Sequence, residues 1–172
     1  MIPIVTPSEM KAIDESSDEP IDVLIQRAGS AVAWTARKFL KGSYGKRVVV
    51  VNGKGNNGND GRVAASYLRK WGIKTLEYSV DEAPKQLPIC DLVIDAAYGT
   101  GIRGEYIAPA TEAPVIAVDI PSGVDGLTGE VLGSPMRSQQ TVTFQALKPG
   151  HLVPPGSNFV GDLQVIDLGL DI

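Results

Sequence analysis

A short glycine-rich segment contains many of the polar side chains that could do chemistry. Asn56, Asn57, Asn59 and Asp60 place three amides and one carboxyl group within five residues. One such asparagine would be typical of an ordinary turn, because asparagine tolerates left-handed backbone. Four such residues together indicate oxygen atoms that hydrogen-bond a polar ligand or coordinate a hard cation.

The same segment has the glycine spacing of a nucleotide-binding turn. Residues 53–58 read Gly-Lys-Gly-Asn-Asn-Gly, which matches G-x-G-x-x-G between an apolar run and a predicted helix. Glycines let the backbone approach a pyrophosphate, and a helix N-terminus offers free N–H groups. The alternative is a tight turn that only packs a strand on a helix. The context favours phosphate binding, but not a P-loop, because Gly58 is followed by Asn59 and Asp60.

Two further polar turns follow short apolar runs. Asp95 closes the run at 91–96 and leads into the second polar turn, residues 95–101. Asp119 closes another and leads into the third polar turn, residues 118–125, which contains Ser122. Ligands of open α/β sheets bind outside the carboxyl ends of the strands. The three turns are therefore candidates for one common site.

The elements that would position these turns follow from hydrophobic patterning. Residues 47–51 form a β-branched run that is typical of a strand buried on both faces. Apolar runs predict further strands at 74–80, 91–96, 115–120, 140–145 and 163–167. Helical spacing predicts helices at about 7–14, 21–41 and 63–71. The predicted fold is α/β: an open, mostly parallel sheet, in one domain spanning 1–172.

Composition excludes several classes of function. A chain of 172 residues with a net charge of −4 is poorly suited to bind nucleic acid by neutralising phosphates. The single cysteine, Cys90, cannot form an internal disulfide, and the single histidine, His151, excludes a paired-histidine zinc site. Both are expected to be packing residues, or in the case of His151 a surface residue. Without a visible targeting or membrane-spanning segment, we expect a cytoplasmic location.

The three polar turns resemble the NAD(P)HX epimerase family, the YjeF N-terminal domain type. The resemblance is carried by Gly-Asn-Asn-Gly-Asn-Asp-Gly at 55–61, Asp-Ala-Ala-Tyr-Gly-Thr-Gly at 95–101 and Val-Asp-Ile-Pro-Ser-Gly-Val-Asp at 118–125. Residues 8–14 with 27–29, and Thr-Val-Thr-Phe at 141–144 leading to Lys-Pro-Gly at 148–150, agree with it. The resemblance extends over nearly the whole chain.

This resemblance implies a Rossmann-like sheet with helices on both faces. It also implies an isomerase that interconverts the C6 epimers of hydrated NADH or NADPH in nicotinamide nucleotide repair. The implied substrate contacts are Asn56, Asn57, Gly58, Asn59, Asp60, Gly99, Thr100, Gly101, Ile102, Arg103, Gly104, Glu105 and Asp119. One potassium ion per subunit is implied, held by Asn57, Asp95 and Ser122, whose amide, carboxylate and hydroxyl are hard oxygen donors. A homodimer is also implied, as is an ATP- or ADP-dependent NAD(P)HX dehydratase as functional partner.

Epimerisation at C6 needs a proton donor that later accepts a proton. The hydroxyl can leave as water to give a nitrogen-stabilised cation, or the ring can open and close again. We assign the proton transfer to Asp119, with Asp60 as the second candidate carboxyl group. The alternative for Asp119 is to anchor the ribose or the nicotinamide.

Two departures from the family pattern bear on the site. Asn59 stands where relatives usually have glycine, and the short segment 104–113, with Pro109, predicts that a helix is missing. Two other functions stay open. One is a non-catalytic nucleotide-binding or dimerising scaffold of the same fold. The other is an NAD-dependent dehydrogenase in which Glu77 would bind a ribose.

Overall fold

The computed structural model describes residues 2–171 and shows an α/β fold. The α-helices are α1 (Pro7–Ser16), α2 (Ile21–Leu40) and α3 (Asn56–Lys70). The strands are β1 (Arg47–Asn52), β2 (Lys74–Ser79), β3 (Leu92–Ala96), β4 (Tyr106–Ile107), β5 (Val115–Val118), β6 (Gly133–Ser134), β7 (Gln140–Phe144) and β8 (Asp162–Ile166). Short 3₁₀ helices lie at Pro149–His151 and Gly156–Asn158. Among these elements, no helix is long and apolar enough to cross a membrane.

Six strands form one parallel sheet, which confirms the predicted α/β architecture. The strand order is β2-β1-β3-β5-β7-β8, and every neighbouring pair is parallel. From β1 the chain passes to one side to form β2, and then to the other side to form β3. The strand order therefore reverses between β1 and β3, which is where open α/β sheets bind ligands. The turns after β1, β3 and β5 all leave the same carboxyl edge.

The α-helices cover one face of the sheet only, which corrects the prediction of helices on both faces. Buried residues of all three α-helices pack in one core with Val48 and Val50 of β1. Alternate residues Val49 and Val51 face a second core, which contains Leu87, Tyr106 and Met136 from irregular segments and β4. Right-handed crossovers place the connections that follow β2, β3 and β5 on this second face. In residues 80–139 these connections are irregular rather than α-helical.

Helix α3 begins at Asn56, seven residues before the helix predicted from apolar spacing. Its first turns carry no large apolar side chain, because glycines take the positions that face the sheet. A Cβ at Gly58 would lie 2.0 Å from the carbonyl oxygen of Gly53, and one at Gly61 would lie 2.1 Å from Asn52 Oδ1. The glycine-rich turn is therefore partly the start of a closely packed helix.

The segment 104–113 forms no helix but contributes β4, which pairs with β6 in a separate two-stranded sheet. Tyr106 of β4 is buried in the second core and stacks edge-on against Tyr98 at 5.2 Å between ring centroids. This small sheet supports the second polar turn from the side that α-helices do not cover.

Candidate active site

A cavity of about 450 Å³ opens at the carboxyl edge of the sheet. Its volume suits a small-molecule ligand. Its walls come from α1, α2, the start of α3 and the turns after β3 and β5. Most of the predicted substrate contacts line it: Asn56, Asn57, Asp60, Gly99, Thr100, Gly101, Ile102 and Asp119. The remaining ones, Gly58, Asn59, Arg103, Gly104 and Glu105, are not among its lining residues.

Two predicted contacts in the glycine-rich turn serve the protein's own packing. Gly58 packs against the Gly53 backbone rather than facing the cavity. The Asn59 side-chain oxygen accepts a hydrogen bond from Arg62 at 3.1 Å, and Arg62 also donates to the Gly53 carbonyl at 3.0 Å. Asn59 lies within α3 and has no positive φ. The replacement of glycine by asparagine at this position therefore neither strains the backbone nor fills the cavity.

Asp119 has an unusual backbone and a fully engaged first carboxylate oxygen. Its φ is +66°, a left-handed value that is uncommon for residues other than glycine. Oδ1 accepts hydrogen bonds from Lys148 Nζ at 2.8 Å and Thr143 Oγ1 at 2.9 Å. Oδ2 lies towards the second polar turn, 3.5 Å from where a Cβ on Gly99 would be. Oδ2 is therefore the oxygen available to a ligand in the cavity.

Two residues behind Asp119 were not predicted as part of the site. The Lys148 side chain is 2% exposed and reaches the cavity from the loop after β7. His151, 1% exposed, contacts the Asp119 carbonyl oxygen through Nε2 at 2.7 Å. The Lys-Pro-Gly segment at 148–150 was the only sequence signal for them. The burial of His151 agrees with the predicted packing role and contradicts the surface alternative, and its hydrogen-bond partner is the candidate catalytic residue.

Asp60 and Asp119 differ in protonation. Burial raises the pKa of Asp119, but the Lys148 charge and the hydrogen bonds from Lys148 and Thr143 together bring it below its ordinary value. Burial, with the charges of Asp119 and Asp14, raises the pKa of Asp60 to about 8. At neutral pH Asp119 is therefore ionised and Asp60 carries a proton. Two carboxyl groups held in opposite states are suited to accept and donate a proton.

Asp14 of α1 is a third carboxyl group on the cavity wall. Burial and the charges of Asp119 and Glu15 raise its pKa, although Lys148 acts in the opposite direction. The sequence placed Asp14 only within the N-terminal pattern at 8–14, with no role. Its position makes the cavity acidic around the buried Lys148.

Asp95 and Ser122 form a buried pair below the cavity rather than on its wall. Both are 0% exposed. Ser122 donates from Oγ to Asp95 Oδ1 at 2.6 Å and from its N–H to Oδ2 at 2.9 Å. Ser122 Oγ also accepts the Tyr98 N–H at 2.8 Å, so this pair anchors the turn after β3. Burial raises the pKa of Asp95.

Asn57 approaches the same turn from α3. A Cβ on Gly99 would be 3.7 Å from Asn57 Cγ and 3.5 Å from Asp119 Oδ2. The structure thus brings all three polar turns to one edge of the sheet around residues 97–99. The Asn57 amide nitrogen is buried, with no hydrogen-bond acceptor among the described residues. Within 2–171 no three His, Cys, Asp or Glu side chains form a metal-binding group; the predicted potassium set contains only one such residue.

The dehydrogenase alternative finds no support in the position of Glu77. Its Oε1 accepts a hydrogen bond from Asn52 Nδ2 at 2.9 Å, and its Oε2 pairs with Arg69. Glu77 is not part of the cavity wall. Both carboxylate oxygens are thus engaged in the sheet, away from the proposed ligand.

The family model described as "YjeF-related protein N-terminus" matches residues 21–85 and 69–150. The chain belongs to this family. It is 33% identical to the NAD(P)H-hydrate epimerase of Leuconostoc mesenteroides, with 99% of this chain and 92% of that protein covered. The corresponding protein of Limosilactobacillus fermentum is 32% identical, with 95% of each covered.

Longer relatives match as well. The bifunctional NAD(P)H-hydrate repair enzyme Nnr of Pyrobaculum aerophilum is 35% identical over 96% of this chain. The chain spans 42% of the length of that relative. Among solved structures, the yeast protein YNL200c has the same fold, with a TM-score of 0.73 at 19% identity, covering 95% of this chain and 87% of the yeast chain.

The raised pKa of Asp60 predicts a pH-dependent loss of stability. Unfolding lowers this pKa from about 8 to an ordinary value of about 4. At a pH between these two values the folded form therefore binds one more proton than the unfolded form. The stabilisation that the protonated Asp60 contributes is complete below about pH 4 and is lost as pH rises towards about 8. The free energy of unfolding is measured in urea at pH 5 and at pH 8. From pH 5 to pH 8 it should fall more for wild type than for Asp60→Asn, by about 1.4 kcal/mol per pH unit at most. Parallel stability profiles would contradict the raised pKa.

Proposed function

We propose that this chain is an NAD(P)H-hydrate epimerase, which interconverts the C6 epimers of hydrated NADH and NADPH. The observation that carries the proposal is the pairing of a neutral Asp60 and an ionised Asp119 across one cavity. The relatives of nearly equal length that bear this name support it. A scaffold would not need two carboxyl groups held in opposite protonation states.

The start of α3 is the proposed pyrophosphate-binding element. Gly55 precedes α3 as its N-cap without a side-chain hydrogen bond, so the first N–H groups of the helix stay free for an anion. A Cβ on Gly55 would meet no atom within 4 Å, so the backbone is open to the cavity there. Lys54 lies on the same rim, where its ammonium pairs with Asp81 at 2.7 Å, and it would have to leave that pair to contact a phosphate.

The two carboxyl groups suit either chemical route. In the ring-opening route, Asp119 takes the proton of the C6 hydroxyl, the bond between C6 and the ring nitrogen breaks, and Asp60 protonates that nitrogen. Closure on the other face reverses both transfers and restores the starting state. In the route through a cation, Asp60 protonates the leaving hydroxyl, which departs as water. Returning water gives its proton to Asp119, and exchange with solvent restores both groups.

Potassium is proposed to bind between the turns, held by Asn57, Asp95 and Ser122. The buried Asn57 amide without an acceptor supports this, because a half-turn of the amide would point its oxygen to the same place. The buried Asp95 carboxylate also supports it, since a buried charge is costly without a counter-charge. When bound, the ion would supply a fixed positive charge beneath the turn after β3.

Replacing the proposed base should abolish most of the activity. Asp119→Asn keeps the shape but cannot accept the proton, so we expect a loss of about 100-fold or more. The measurement starts from one epimer of NADHX and follows the loss of stereochemical purity. Asp162→Asn, at the exposed start of β8 at the opposite edge of the sheet, serves as control and should keep full activity.

Two outcomes of that measurement, and one outcome of a separate assay for NAD reduction, would contradict the proposal. Full activity of Asp119→Asn would remove Asp119 from the proton transfer. A wild-type rate equal to the spontaneous rate would favour a scaffold. Reduction of NAD by a small alcohol or hydroxy acid would favour a dehydrogenase.

Potassium should stabilise the folded chain more than sodium does. At ten times its dissociation constant a bound ion adds about 1.4 kcal/mol, which raises the melting temperature by about 3–6 °C for a chain of this size. Melting is compared in KCl and NaCl of equal concentration. Ser122→Ala should lose the difference, whereas Ser66→Ala, on the exposed side of α3, should keep it. Equal melting of wild type in the two salts would contradict the site.

A homodimer is proposed as well. Helix α2 exposes Trp34 by 57% and Phe39 by 37%, beside the β8 edge of the sheet. Such exposed apolar residues favour association. Light scattering at micromolar concentration should give twice the monomer mass, and Trp34→Glu should reduce it. Ile89→Glu, which changes an exposed residue outside α2, should not. A monomeric wild type would contradict the dimer.

The chain covers about two fifths of the bifunctional NAD(P)H-hydrate repair enzyme of Pyrobaculum aerophilum. We propose an ATP- or ADP-dependent dehydratase as the functional partner that consumes one epimer. The cytoplasmic location stays a prediction.

A further inference from the structure

The turn at 148–151 holds Asp119 at two separate points. Lys148 contacts its carboxylate, and His151 contacts its backbone carbonyl. The two residues are also joined to each other, because the Lys148 N–H donates to His151 Nδ1 at 3.0 Å. One short segment therefore controls both the side chain and the backbone of the proposed base.

Lys148 has no hydrogen left for a substrate. Its ammonium donates to Asp119 Oδ1 at 2.8 Å, Thr143 Oγ1 at 2.9 Å and the Phe144 carbonyl at 3.2 Å. These three acceptors match the three hydrogens of an ammonium group. Thr143 in turn donates to the same Oδ1 at 2.9 Å. Lys148 therefore acts through Asp119 and leaves only Oδ2 free.

His151 is held in one neutral tautomer. The Asp119 carbonyl oxygen can only accept, so Nε2 must carry the hydrogen in the 2.7 Å contact. Nδ1 accepts the Lys148 N–H and is therefore unprotonated. Burial lowers the pKa of His151, in agreement with a neutral ring. This hydrogen bond supports Asp119 in its left-handed backbone conformation, at φ +66°.

We propose that Lys148 and His151 are positioning residues that hold Asp119 as an ionised base and present Oδ2 alone to the substrate. The inference rests on the proposed epimerase function for its consequence in catalysis. The charged or titratable groups around Asp119 are Lys148, His151, Asp60 and Asp14. Lys148 is the only cation among them, so its removal should act on Asp119 directly.

The decisive experiment titrates the Asp119 carboxyl group by ¹³C NMR in wild type and Lys148→Met. The Asp119 signal is assigned with Asp119→Asn. Loss of an adjacent cation should raise the pKa of Asp119 by about 1–3 units. The acid limb of the epimerase pH profile should move to higher pH by the same amount. Lys74→Met, at the amino end of β2, removes an equal charge and should change neither. An unmoved Asp119 titration in folded Lys148→Met would overturn the inference.

A second variant covers the case in which Lys148→Met does not fold. Thr143→Val keeps the side-chain shape but removes one donor to Oδ1, so the Asp119 titration should move upward by a smaller amount. No movement in this variant would equally overturn the role given to the hydrogen bonds on Oδ1.

The role of His151 can be read directly in wild type, because it is the only histidine of the chain. Long-range ¹H–¹⁵N spectra should show a single neutral ring with the hydrogen on Nε2. His151→Gln, whose amide can donate from a similar position, should keep more activity than His151→Leu. A ring protonated on Nδ1, or equal activity of the two variants, would overturn this part.

These readouts separate the two proposals. If the Asp119 titration and the His151 tautomer behave as expected but no epimerase activity is found, the proposed function fails while the positioning of Asp119 stands. If epimerase activity is present but the Asp119 titration does not move in Lys148→Met, the proposed function stands and the positioning of Asp119 by Lys148 fails.

Discussion

The buried ion pair between Lys148 and Asp119 is the interaction on which the site depends. Removing an ammonium and a carboxylate from water costs several kcal/mol per ion unless each is paired and hydrogen-bonded. Here the ammonium has three acceptors, and Asp119 Oδ1 has two donors. The negative charge fixed on Asp119 then helps to keep the nearby Asp60 neutral. The ion pair thus keeps Asp119 ionised, and the Asp119 charge adds to the larger effect of burial on the pKa of Asp60.

The sheet explains why these groups meet. Parallel strands β1, β3 and β5 end at one edge, and the change of direction after β1 leaves a crevice between their turns. The α-helices pack on one face and form one side of the cavity. On the other face, the Asp95–Ser122 pair anchors the turn after β3 by hydrogen bonds to backbone groups. This arrangement fixes the turn without an α-helix behind it.

Much of this could be predicted from local patterns. A β-branched run identified β1, and apolar runs identified the other strands of the large sheet. A carboxylate at the end of a parallel strand lies at the ligand-binding edge, as Asp95 and Asp119 do. Lys148 and His151 could not be found in this way. Their contacts with Asp119 span about thirty residues of sequence, and they depend on how the loop after β7 folds back. Asp14 was missed for a similar reason, since only the packing of α1 brings it to the cavity.

Two other errors concern the positions of the helices. The start of α3 has glycine where an apolar residue would mark its inner face, so its periodicity is not visible until Val63. The expectation of helices on both faces came from the family resemblance, and it agrees with the usual cover of parallel sheets. Apolar side chains of irregular segments, such as Leu87 and Met136, provide the same cover here.

The glycines of the first turn differ in what requires them. Gly53 and Gly58 are demanded by the fold, since any side chain there would collide with the Ala97 or Gly53 backbone. Gly55 has ordinary φ and open space around it, so folding alone would tolerate alanine or serine. A related chain that had lost the ligand but kept the fold would retain Gly53 and Gly58, whereas residue 55 would vary. Position 55 is therefore the place where a comparison of related chains could separate working members from inactive ones.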